Sequence, residues 1–261
     1  MKFAFSTLGV PGRPLTEVAR LAADSGYQGV ELRAHPEEPV HPGIGTTERA
    51  EAVREFERAG VEILTVAGYA RIAAAGDDKP VIKEMEDLSR LAKDLGAPFV
   101  RVFPGGGDQD PERADAIAAR RLGAAVETAA DLGVRILLET HDSHRTGADV
   151  TRVLGLVGHK HAGALWDVMH PWLGGERPAA THAALSPFLG YVQVKDVASR
   201  EDLTPLPLGQ GALPLGECLA LADPDGWVCW EYEKRWYPTA AELPGLLTAG
   251  REHLLSLIRT A

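Results

Sequence analysis

The runs RILLETH, ALWDVMH, YVQVKD and VCWEYE each carry an apolar stretch into a carboxylate or an amide. In YVQVKD, Tyr191, Gln193 and Lys195 alternate with Val192 and Val194, the period of a strand with two unlike faces. The same phase in the other runs makes Glu139, Asp167 and Glu231 the last residues on their strands' inward faces. Glu31 in GVELR and Arg101 in FVRV take the same position. If these strand ends meet, three carboxylates share one bowl. Two bare anions about 4 Å apart repel by about 4 kcal/mol at an effective dielectric near 20, so something must offset them. A divalent metal would order all three and create a Lewis-acid site. An ion-pair cluster with Arg101 and Lys195 is the alternative. His141, two residues beyond Glu139, and His170, three beyond Asp167, fall at the mouth of the same bowl. The other histidines read as structural or surface residues.

The elements that would position these residues recur along the chain. LAADSGYQGVEL, FERAGVEIL, LAKDLGAPFVRV and AADLGVRILLET each run from a helical stretch through Gly into a short apolar strand. Gly supplies the positive φ of a helix C-cap just before the chain turns. On this basis the spacing predicts strands near 3–6, 27–32, 61–66, 98–102, 134–139, 162–167, 191–195 and 227–231. Helices are predicted near 14–25, 46–59, 79–95, 111–131, 146–157, 178–185, 214–222 and 239–259. Eight alternating units with right-handed crossovers close into a (β/α)8 TIM barrel, a single domain over residues 1–261. An open doubly wound sheet would need a glycine-rich phosphate turn after an early strand, and STLGVPGRP fits no such fingerprint. Gly105–Gly107 lack the P-loop lysine and read as a flexible loop.

Composition narrows the classes. With 45% hydrophobic and 25% charged residues the chain matches an ordinary globular protein, and no apolar run approaches the ~18 residues of a membrane helix. The net charge of −10 with scattered basic residues disfavours nucleic acid and anionic membrane as partners. Two cysteines, Cys218 and Cys229, without metal-motif spacing suggest a reducing compartment, read here as the cytoplasm.

The ordered set LLETH, LWDVMH, YVQVKD and WEYE, with GVELR and PLGQG, resembles the xylose-isomerase-like barrel superfamily over essentially the whole chain. It is most similar to the sugar phosphate isomerase/epimerase branch, which includes ketose 3-epimerases, hydroxypyruvate isomerase and inosose dehydratase. The resemblance implies a divalent ion, usually manganese or a relative, on the residues matching Glu139, Asp167, Gln193 and Glu231. It also implies that Glu139 and Glu231 flank a small sugar as acid and base, while His170 and Arg101 hold its hydroxyls or carbonyl. Lys195, Glu31 and His141 join them as substrate-side residues. Relatives are often dimers or tetramers. The departure is Gln193, where most of the family has His in an H-x-K-D pattern. An amide there makes a shell that could be all oxygen, which suits Mn²⁺ or Mg²⁺ better than Zn²⁺ or Co²⁺.

The implied reaction removes a proton α to a carbonyl and returns one elsewhere, giving an epimerase or isomerase. With a β-leaving group present the same enediolate gives a dehydratase or lyase. AP endonucleases of this superfamily gather extra histidines, and SREDLTPLPLGQGALP contains none. A non-catalytic sugar- or metal-binding barrel stays open because of Gln193. Phe5, Tyr69, Phe103, Trp172 and Trp236 are the candidate aromatic walls.

Overall fold

The computed structural model describes residues 1–260. Strands β1 (Lys2–Ser6), β2 (Gly29–Arg33), β3 (Glu62–Arg71), β4 (Phe99–Phe103), β5 (Arg135–Glu139), β6 (Ala162–Asp167), β7 (Leu189–Val194) and β8 (Trp227–Trp230) pair in parallel, each with the next. β8 returns to β1 through pairs such as Ala4 with Cys229, so the barrel is closed. The crossovers carry α1 (Leu15–Asp24), α2 (Thr46–Ala59), α3 (Asp78–Leu95), α4 (Pro111–Asp131), α5 (Gly147–Val157), α6 (Met169–Leu173), α7 (Pro178–Leu185) and α8 (Leu215–Leu221), and α9 (Leu247–Thr260) follows β8. The eight-fold alternation expected from the sequence is therefore the fold.

Local chemistry accounts for the boundaries. Gly60 and Gly96 sit at φ 67° and 72° as the left-handed caps of α2 and α3, and a strand follows each. Asp110 accepts from the Arg113 amide at 3.0 Å, with Pro111 in the first turn of α4. Three boundaries differ from expectation. β3 continues to Arg71 because TVAGYAR keeps pairing with β4 through a register shift between Ala67 and Arg71. α6 forms in a segment that reads as loop, started by Asp167 Oδ1 accepting from the Met169 amide at 2.8 Å. The last helix begins at Leu247, eight residues later than expected, because Pro244 leaves only a 3-10 turn over Leu243–Gly245.

Most of the core lies between the barrel and its helices. A second, smaller cluster fills the barrel: Ala4, Leu64, Leu137, Leu165, Tyr191 and Cys229, with Phe99 and Trp227 packed against it. This plug is tight, since a Cβ on Gly190 would come within 2.4 Å of the Leu137 side chain. Further along the same strands the inward residues become polar. Glu31, Arg101, Glu139, Asp167, Gln193 and Glu231 are all buried above the apolar plug, which thus forms the floor of a polar bowl.

Candidate active site at the barrel mouth

The bowl opens into a cavity of about 430 Å³ lined by Arg101, Glu139, His141, His170 and Glu231, with Tyr69, Phe103 and Trp236 as aromatic walls. A cavity of about 510 Å³ lies at the opposite end, where Leu189 and Trp227 begin their strands. Its lining brings no pair of carboxylates together, so chemistry rather than volume selects the mouth.

Lys195 organises one side. Its ammonium lies 2.7 Å from Asp167 Oδ2 and 2.8 Å from Glu233 Oε1, and it donates to Glu231 Oε2. Burial disfavours its charge, but Asp167, Glu231 and Glu233 outweigh that and hold it charged well above the usual lysine range. Its three carboxylate neighbours thus favour the ammonium form. Arg101 organises the other side. Its Nε is 3.1 Å from Glu139 Oε2, an ion pair not aligned as a hydrogen bond, and its Nη1 donates to the Gly68 carbonyl at 3.1 Å. The guanidinium carbon lies 3.9 Å from the Phe103 ring centroid, which fixes the plane of the group.

Among the described residues, four buried carboxylates, Glu31, Glu139, Asp167 and Glu231, gather about these two buried cations, which pair with Glu139, Asp167 and Glu231. Their surroundings divide them. Burial pushes Glu139 well above the usual carboxylate range, against the pull of Arg101. Burial also raises Glu31, helped by the nearby Glu231. For Glu231 burial acts the same way, but Lys195 and Arg101 outweigh it and hold the group below its ordinary value. Two glutamates on the same cavity are thus pushed in opposite directions, Glu139 toward its protonated form and Glu231 toward its ionised form. His170 is pushed well down by burial, then by His141 and Lys195, and stays neutral.

The expected four-residue metal shell does not fit this arrangement. The Lys195 ammonium stands between Asp167 and Glu231, where an ion shared by those carboxylates would need to be. Gln193 uses its amide nitrogen on Glu31 Oε1 at 3.0 Å, and its Oε1 is buried without a partner. Among the described residues, a different group brings three donor atoms within 4.8 Å of one another: Glu139, His141 and His170. That spacing can hold a divalent ion.

Other expectations sort plainly. Glu31 lies beneath the cavity and is held from below by the Tyr191 hydroxyl, which donates to its Oε2. Phe5 is fully buried edge-on to Tyr27, and Trp172 packs under Arg200, so neither lines the cavity. His144 is structural, its Nε2 2.9 Å from Asp115 Oδ1. The glycine loop is pinned rather than free: Asp142 accepts from the Gly105 amide at 3.1 Å and Ser143 Oγ from the Gly106 amide at 2.9 Å. A side chain at Gly105, φ 66°, would meet Arg71 at 2.6 Å. Sequence reasoning missed Glu233, Asp142 and Asp196, and placed Tyr191 on the inward face without a role. The last ties PLGQG to the bowl, its Oδ2 accepting from the amides of Gly209 and Gly211, each at 2.9 Å. The adjacent K-D pair in YVQVKD was the signal available for Asp196.

Comparison with known proteins gives the same architecture. No curated protein matches the sequence. Among solved structures, the probable 3-DHS dehydratase AsbF involved in petrobactin synthesis, from Bacillus anthracis, superposes with a TM-score of 0.83 at 21% identity, covering 98% of this chain and 99% of that one. D-psicose 3-epimerase with D-tagatose from Clostridium cellulolyticum H10 gives 0.83 at 15% identity, covering 99% of each chain. The IOLI protein with a bound zinc atom gives 0.83 at 18%, covering 100% of this chain and 99% of that one. The model of the xylose isomerase-like TIM barrel family matches residues 19–257, and the chain belongs to that family.

Proposed function

We propose that the chain is a sugar isomerase or epimerase that moves a proton at the carbon next to a carbonyl in a keto sugar or small hydroxy-ketone. The observation that carries this reading is the placement of Glu139 and Glu231 on one cavity, each beside a buried cation, Arg101 and Lys195. Glu231, held ionised, removes the α proton. The electron pair moves onto the carbonyl oxygen, and the buried guanidinium of Arg101 stabilises the oxyanion. Glu139, pushed toward its protonated form, returns a proton. Return to the opposite face of the same carbon is epimerisation; return to the former carbonyl carbon, with the adjacent hydroxyl passing its proton to the oxyanion and becoming the new carbonyl, is isomerisation.

The psicose epimerase and an L-ribulose 3-epimerase of the same fold support the reading by analogy. The AsbF likeness supports a second one: when a hydroxyl lies β to the carbonyl, the same enolate expels it as water with the Glu139 proton, a lyase reaction. Incubating ketoses and cyclic β-hydroxy ketones with the protein, and following the mixtures by NMR, separates the two. New epimers or aldoses favour the first reading, and an enone the second. A panel without any turnover would leave only a binding barrel. A small-molecule sugar as partner and a homodimer or homotetramer in solution complete the proposal, the latter read by light scattering.

A further inference from the structure

We propose that this chain seats a divalent transition-metal ion on Glu139, His141 and His170 at the barrel mouth, in place of the four strand-end residues that the resemblance implies. Two features point there. The first is that the strand-end position already holds a cation. Lys195 reaches Asp167, Glu231 and Glu233 together, and a second positive centre among those carboxylates would repel the ammonium. Gln193, in the place of the family's usual imidazole, has turned its amide nitrogen to Glu31.

The second is the donor set one layer higher. Glu139 Oε2 accepts no aligned hydrogen bond, its one charged neighbour being Arg101 Nε at 3.1 Å, and the His141 and His170 rings lie beside each other with centroids 4.0 Å apart. His141 Nδ1 is 3.2 Å from Asp142 Oδ2, which leaves Nε2 as its ligand atom. Asp142 is in turn held by the amides of Gly105 and Ser143. A carboxylate behind an imidazole is the usual device for fixing a ligating ring's tautomer and direction. The pinned glycine loop thus acquires a purpose: it holds the carboxylate that aims His141. Two imidazoles and one carboxylate select Zn²⁺ or Co²⁺ over Mg²⁺, which prefers oxygen. Binding there needs Glu139 ionised, so a bound ion would supply Lewis acidity to a ligand's oxygen in place of the Glu139 proton.

The test reads metal binding without substrate, so its outcome is separate from that of the proposed reaction. The chain, stripped with a chelator, is titrated with Zn²⁺ and with Mg²⁺ by calorimetry. We expect Zn²⁺ to bind at least about 100-fold more tightly than Mg²⁺, following the preference of imidazole donors. His141→Ala and His170→Ala should each lower Zn²⁺ affinity by more than about tenfold, and Asp142→Asn by about tenfold, the range for a group behind a ligand. Gln193→Ala should leave it unchanged. His141 is partly exposed, so that variant folds, and circular dichroism checks it. With Co²⁺, the visible band should change in His141→Ala and stay the same in Gln193→Ala. Affinity lost in Gln193→Ala but kept in both histidine variants would overturn the proposal, as would equal binding of Mg²⁺ or no binding of Zn²⁺.

Discussion

Lys195→Met is the perturbation that most sharply probes the charge arrangement of the bowl. Methionine keeps the length and volume of the stem and removes the ammonium. Asp167 Oδ2, Glu231 Oε2 and Glu233 Oε1 then lose the cation they share. Two of these carboxylates are buried, and removing one partner of a buried ion pair costs about 3–5 kcal/mol. The same scale follows from the bare repulsion, about 4 kcal/mol for anions about 4 Å apart at an effective dielectric near 20. For a chain of this size each kcal/mol lowers Tm by about 2–4 °C, so a fall of about 10 °C is expected at pH 8. The loss should depend on pH. Burial already holds the folded-state pKa of Asp167 above its ordinary value against the pull of Lys195, so without the ammonium it rises further, and Glu231, now held low, is pushed up by its burial. A group of that kind destabilises progressively as pH rises through its folded pKa, so the deficit should shrink toward pH 5. Thermal melts of both proteins in chelator at the two pH values are the assay. A change under about 2 °C at pH 8, or the same deficit at both, would refute the shared-cation account.

Three further predictions follow from other parts of the molecule. Glu31 has its folded pKa raised by burial above the ordinary value, so the folded chain holds its proton longer than the unfolded one, and stability drains away as pH rises. Glu31→Gln removes that dependence, and the Tm difference, variant minus wild type, should grow from pH 5 to pH 8; a flat or falling difference contradicts it. Arg121 is fully buried and donates to the carbonyls of Ile72, Ala74 and Gly76 at 3.1, 2.7 and 2.7 Å, and to Asp78 at 2.8 Å. Arg121→Ala should cost about 3–5 kcal/mol and speed amide exchange over residues 72–78, and Arg121→Lys should not restore it, lacking the planar fork. Trp236 is 51% exposed on the cavity wall. Trp236→Ala should raise KM about three- to tenfold, the worth of one ring contact, with kcat and Tm nearly unchanged.

The barrel and the membership of the bowl were legible for the same reason. Strand periodicity assigns each residue to a face, and closure brings the inward strand ends together, so Glu31, Arg101, Glu139, Asp167, Gln193, Lys195 and Glu231 could be grouped before any contact was known. Phase says nothing about which members of the group pair. That Tyr191 reaches Glu31 across 160 positions, or that Lys195 spans three carboxylates, depends on side-chain length and on where the barrel's stagger sets each strand end. Gln193 read as an oxygen ligand because its place in the pattern was visible, whereas its bond to Glu31 was not. Gly105–Gly107 read as flexible because the residues that pin the loop, Asp142 and Ser143, lie in the loop after β5, 37 positions away. Helix starts failed where a local side-chain bond or a proline overrode the apparent pattern, as at Met169 and Leu247.

The central claim is that Glu231 takes a proton from the carbon next to a carbonyl. It is tested most directly by loss of the α-proton signal in D₂O, followed by NMR on a ketose that the wild-type protein turns over. Wild type should wash the proton out, and Glu231→Gln should slow the exchange by at least about 100-fold, the lower range for loss of a general base, while its Tm stays close to wild type. Exchange at the wild-type rate in a folded Glu231→Gln variant would contradict the account.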